Sequence, residues 1–231
     1  MRRREFDAEA LSNVDQISQF QWSHLRKDLM SCFYFSLLCV SASSTLGAYF
    51  TEYIGSSFGL FGALASFYCF YLTPPWHEQK KRVCLISLVA CFGWAFVNPW
   101  LTYILSVDAG FTVTLLLATC VGFGCYWVSS IRTGIFGWVY FRAMCLCTPL
   151  VLACLYICSS VFGGDSAHWK YQLYTLVLWY MVYVAAYSQF VIFKARGGEN
   201  DYVMHAICLF VFCPDLVMVS MKMMKEMYRR R

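Results

Sequence analysis

The chain has 231 residues, of which 60% are hydrophobic, 19% aromatic and only 13% charged. Soluble domains carry about 25% charged residues, so an ordinary water-soluble fold is excluded, and at this length one compact unit is expected rather than two domains. The net charge of +5 does not point to nucleic acid, because the basic residues sit between apolar runs and at the chain ends, where they set the orientation of a membrane protein instead.

Residues 1–28 form a polar N-terminal segment that opens on Arg2, Arg3 and Arg4. The first apolar run is too long for the core of a signal peptide and reads as a retained anchor. A helix needs about 20 apolar residues to cross a bilayer. Seven runs approach or exceed that length: 29–50, 54–73, 83–107, 109–131, 134–162, 171–193 and 203–221. The linkers between them, such as 51–53, 74–82 and 194–202, are short, so sequential neighbours lie antiparallel. Residues 29–221 therefore form one transmembrane domain, and 222–231 form a basic tail. The fold class expected is all-α, a polytopic seven-helix bundle.

Lys and Arg in the short loops set the orientation. With the N-terminus cytosolic, one side collects Arg2, Arg3, Arg4, Arg26, Lys27, Lys80, Lys81, Arg82, Arg132, Lys194 and Arg196; across the first six spans the other holds Lys170 alone. The tail, with Lys222, Lys225, Arg229, Arg230 and Arg231, also prefers the cytosol, which conflicts with seven full crossings. Pro214 removes a backbone donor inside the last run, so that segment either spans or is re-entrant.

The 13 cysteines lie within apolar runs and include no CxxC pair. Free cysteine packs as a small hydrophobe, and neither a disulfide framework nor a metal site is expected. The chain contains no HExxH and no GxSxG. Asp215 is the one carboxylate inside a run, so no acid dyad can form at depth. No enzyme activity and no cofactor are expected.

Several stretches occur in an order and spacing that resemble the Bax inhibitor-1 family, closest to its plant branch. They are Gln16-Ile17-Ser18, His24-Leu25-Arg26-Lys27, Gly47-Ala48-Tyr49, the loop from Pro74 through Trp76-His77-Glu78-Gln79-Lys80-Lys81 to Arg82, then Pro99 and Val107-Asp108. Further along come Ser159-Ser160-Val161-Phe162-Gly163-Gly164, Lys170-Tyr171-Gln172-Leu173-Tyr174, Asp201-Tyr202-Val203-Met204-His205 and Leu209-Phe210. The resemblance implies a seven-helix fold with the last helix central. It implies residence in the endoplasmic-reticulum membrane and suppression of stress-induced programmed cell death through calcium homeostasis. The partners it implies are calcium ions, calmodulin at the basic tail, and other cell-death or endoplasmic-reticulum membrane proteins, alongside membrane lipids.

The chain departs from the family where the proton-sensitive calcium path is expected. The acid of the sixth span is replaced by Tyr187, before Ser188-Gln189, and the acid of the last helix by Phe212. Asp215 and His205 remain as candidates for an ion or proton path. The plainer readings are that Asp215 is solvated or paired with Arg142, and that His205 is a structural residue at a helix start. Arg142 itself is expected to snorkel toward the cytosolic face. The tail cations Lys222, Lys225, Arg229, Arg230 and Arg231 suit calmodulin or anionic lipid. The alternatives to a calcium-linked modulator are a non-conducting diverged paralogue acting as a membrane interaction protein, and a small transporter.

Overall fold

A computed structural model describes residues 27–74, 78–105, 109–132, 136–162, 167–196 and 201–209. These form eight helices: α1 (Lys27–Tyr49), α2 (Thr51–Ile54), α3 (Ser56–Leu72), α4 (Gln79–Leu105), α5 (Ala109–Arg132), α6 (Phe136–Phe162), α7 (Ala167–Arg196) and α8 (202–209). Among the described residues, four stretches are long and apolar enough to cross a bilayer: Lys27–Tyr49, Gln79–Tyr103, Thr112–Arg132 and Tyr174–Ala195. Ser56–Leu72 and Arg142–Cys158 are shorter apolar helices. The protein is an all-α, multi-pass membrane protein. The rest of the last run, from residue 210, lies outside the described residues, and with it the seventh crossing.

The helices extend past several of the apolar runs, because backbone hydrogen bonding continues through a polar first turn. Thus α4 begins at Gln79 and takes in Lys80, Lys81 and Arg82, and α7 takes in Lys170. Residues 51–53, expected as a linker, are instead helical. The Thr51 hydroxyl bonds back to the carbonyls of Gly47 (3.0 Å) and Ala48 (2.8 Å). The chain then breaks at Gly55, whose φ of 71° is a left-handed value glycine adopts without steric cost.

Hydrophobic burial cannot hold helices together inside lipid, so close packing and hydrogen bonds must. Small residues let α1 approach α4 closely: Gly47 lies against the Cys91 backbone, where a Cβ would overlap the carbonyl. Gly59 of α3 faces the α4 backbone in the same way, at 3.0 Å from Phe92 O for an added Cβ. Along α1, Ser36, Ser44 and Thr45 are buried, and each hydroxyl donates to the carbonyl one turn back at 2.8 Å.

The main core joins α1, α5, α6, α7 and α8 through Phe33, Tyr34, Phe123, Tyr126, Val151, Met181 and Leu209, among others. A second cluster joins α1, α3, α4 and α8 through Val40, Phe70, Ile86 and Val203. Helix α8 contributes to both, with Val203, Ala206 and Leu209 at helical spacing on one buried face. Outward faces are apolar; on α3, Phe58, Phe61, Leu64, Tyr68 and Tyr71 are exposed. Such a surface is soluble only in lipid.

The described cysteines are free thiols; Cys125, Cys147, Cys154 and Cys158 are buried, and Cys32, Cys69, Cys84 and Cys145 are exposed. Cys154 and Cys158, one turn apart on α6, sit with sulfurs 3.9 Å from each other.

Candidate functional site

The start of α8 is tied to the rest of the bundle by one ion pair. Arg82, in the first turn of α4, donates from Nη1 to Asp201 Oδ2 at 2.8 Å. Its guanidinium lies 4.7 Å from the centroid of the Phe70 ring at the end of α3, a cation–π contact. The arginine side chain is 7% exposed and the aspartate 32%. The second oxygen, Asp201 Oδ1, accepts from the backbone N–H of Met204 at 3.2 Å, as an N-cap residue does. One carboxylate thus starts α8 and fastens it to α4. Tyr202 beside it packs against both buried clusters.

Arg82 was expected at the end of a linker, and the structure instead places it in the first turn of α4. An arginine at the edge of one run and an aspartate at the edge of another were visible in the sequence. Their pairing spans 119 residues, and no periodicity reports such a contact.

One turn into α8, His205 meets Tyr187 of α7. Its ring centroid lies 6.3 Å from that of Tyr187 and 6.2 Å from that of Phe190. Tyr187 also stacks on Phe33 at 6.5 Å. The position is therefore built into an aromatic cluster between α1, α7 and α8. Immediately after it, Ser188 accepts a hydrogen bond from the fully buried Tyr34 hydroxyl at 2.8 Å and donates to Val184 O at 2.7 Å. The Tyr34 ring packs 5.3 Å from that of Tyr126, whose hydroxyl donates to Met181 O at 3.2 Å.

Tyr187 and His205 are thus brought together. Asp215, Phe212, Lys222, Lys225, Arg229, Arg230 and Arg231 lie outside the described residues. Arg142 is exposed on the first turns of α6 and makes no ion pair among the described residues. Among those residues no three His, Cys, Asp or Glu side chains gather as a metal site. The carboxylate best placed at the α8 junction, Asp201, faces an arginine rather than a second acid.

Over nearly its whole length the chain aligns with "Bax inhibitor 1" of Arabidopsis thaliana, at 27% identity across 96% of this chain and 89% of the relative. The chain is similar to Bax inhibitor 1 proteins along nearly its whole length. The human Bax inhibitor 1 is also 27% identical, across 96% of this chain and 92% of its own length. The rice protein of the same name is 27% identical across 94% of this chain. The animal Bax inhibitor 1 proteins are matched at 24–27% identity and the plant ones at 27%, so identity does not single out the plant branch. No family profile and no solved structure matches the chain. The alignments include both polar stretches that meet in the Arg82–Asp201 pair.

Proposed function

We propose that this chain belongs to the Bax inhibitor-1 family and restrains stress-induced programmed cell death from the endoplasmic-reticulum membrane, N-terminus cytosolic, through the calcium content of that compartment. The observation that carries this reading is the end-to-end similarity to proteins named Bax inhibitor 1 in plants and animals. The seven-helix count, the central last helix, Asp215 on an ion path, and calmodulin or anionic lipid on the tail cations belong to the same proposal. A second reading is a non-conducting paralogue that works through membrane partners. It is favoured by one feature: Tyr187 stands in an aromatic cluster with Phe33, Phe190 and His205, where a shared proton would need an acid.

The test compares survival under endoplasmic-reticulum stress, and lumenal calcium, in cells with and without the chain. A third arm carries Tyr187→Asp together with Phe212→Asp. Higher survival with lowered lumenal calcium in the native chain supports the first reading. Higher survival with calcium lowered only in the double replacement supports the second. Unchanged survival and calcium in every arm overturns both.

A further inference from the structure

At the end of the bundle remote from the Arg82–Asp201 pair, α1, α2, α4 and the start of α5 line an open cavity of about 750 Å³. Along α4, Asn98 lies about 24 Å beyond Arg82 at 1.5 Å per residue, close to a full hydrocarbon thickness. Tyr49, Tyr53, Trp100 and Tyr103 present exposed rings around this end. Amphipathic rings gather at the headgroup level of a bilayer, which sets the cavity at that depth. Its volume suits a small ligand or a lipid head.

The chemistry of the lining is one-sided. Ala48, Pro99 and Val113 supply apolar wall, and among the described residues Glu52 supplies the one formal charge and no cation lines it. Asn98 also lines the cavity and is 4% exposed. Its Nδ2 donates to Ala48 O at 3.1 Å and to Thr51 Oγ1 at 3.3 Å. A carbonyl oxygen only accepts, so the amide nitrogen must face Ala48. Oδ1 is left as a buried acceptor with no partner among the described residues. A buried acceptor without a donor is costly, and a ligand that brings an N–H to it removes that cost.

We propose that this cavity holds the head of a membrane lipid bearing a primary ammonium, of the phosphatidylethanolamine type. Glu52 pairs with the ammonium, and Asn98 Oδ1 accepts one of its N–H bonds. The rings of Tyr49 and Tyr103, both lining the cavity, offer faces to the cation. A primary ammonium carries three donors. The quaternary ammonium of a choline head carries none and would leave Oδ1 unmet, so the site distinguishes the two heads. Anionic heads are disfavoured by Glu52. The inference depends on the membrane-spanning fold alone and is independent of any role in cell death.

The test uses the intact protein in detergent micelles, titrated with short-chain phosphatidylethanolamine, short-chain phosphatidylcholine or free ethanolamine. Binding is read by native mass spectrometry and by the shift in Tm. The expected result is binding of the ethanolamine lipid about fivefold tighter than the choline lipid, the scale of the one hydrogen bond that only the primary ammonium can make. Free ethanolamine leaves Tm unchanged, and Glu52→Gln, a substitution at an exposed side chain, weakens binding of both lipids. Equal binding of the two lipids, undiminished binding of the ethanolamine lipid by Glu52→Gln, or a Tm shift from free ethanolamine as large as that from the lipid overturns the proposal.

Discussion

Arg82 and Asp201 meet at 2.8 Å with the arginine almost fully buried and the aspartate one-third exposed. The two partners are therefore unequal when the pair is broken. Removing the acid strands a buried guanidinium, whereas removing the arginine leaves a carboxylate that water can reach. Stranding a buried charge costs about 3–5 kcal/mol, and exposed pairs contribute about 0–1; this half-buried pair falls between, at about 2 kcal/mol. Asp201→Asn, which keeps the cap on Met204, is expected to lower Tm of the detergent-solubilised protein. Asp201→Ala costs about 1 kcal/mol more through loss of the cap. The neighbouring pair Lys81–Glu78, with side chains 69% and 38% exposed, is the control: Lys81→Ala leaves Tm unchanged within error.

Gly47 and Gly93 make opposite predictions for one substitution. A Cβ on Gly47 would overlap the Cys91 carbonyl on α4, whereas a Cβ on Gly93 meets nothing within 4 Å. The obstacle at Gly47 is backbone, which cannot rotate away, so α1 must move off α4. Gly47→Ala is expected to cost about 3 kcal/mol or more and to broaden the size-exclusion peak. Gly93→Ala is expected to be neutral or to stabilise by about 0.5–1 kcal/mol, since alanine favours the helix over glycine.

The spans legible in the sequence were those in which apolar length alone decides. The run 29–50 became α1 (Lys27–Tyr49), and 109–131 became α5 (Ala109–Arg132). What was lost lies at the edges. Thr51-Glu52-Tyr53 is polar enough to look like a linker, yet its backbone bonds close a helical turn before Gly55 breaks it. Arg82 looked like one more orientation-setting cation because charge counting cannot tell a solvated guanidinium from one on a phenyl ring. Tyr187 was singled out because it departs from a family pattern; its contact with His205 depends on how α7 and α8 lie together. Asn98 gave no signal at all, since one amide in an apolar run does not report which carbonyl it faces.

The Tyr34–Ser188 hydrogen bond should be asymmetric in the same manner as the ion pair. Ser188→Ala leaves the fully buried Tyr34 hydroxyl without its acceptor, which costs about 1–3 kcal/mol. Tyr34→Phe removes the donor, but Ser188 keeps its bond to Val184 O at 2.7 Å, so the cost is about 1 kcal/mol. The double variant should then cost less than the sum of the two, and Tm values of the four proteins check this.

Tyr187→Asp alone tests whether the position of Tyr187 on α7 can accept an acid. The present ring stacks on Phe33 and stands edge-on to His205, and each such aromatic contact is worth about 0.5–1.5 kcal/mol. A carboxylate there loses both contacts and gains His205 as a polar neighbour across the α7–α8 contact. The single replacement is expected to lower Tm by an amount equivalent to about 2 kcal/mol and to leave calcium flux in reconstituted vesicles unchanged. Tyr187→Phe, which keeps the ring, should retain native Tm within about 1 kcal/mol. If Tyr187→Asp were as stable as the native chain, the aromatic cluster would not be what fixes α8 against α7. If that single change opened a calcium path, the departure at Tyr187 alone would account for any loss of conduction, and Phe212 would be irrelevant to it.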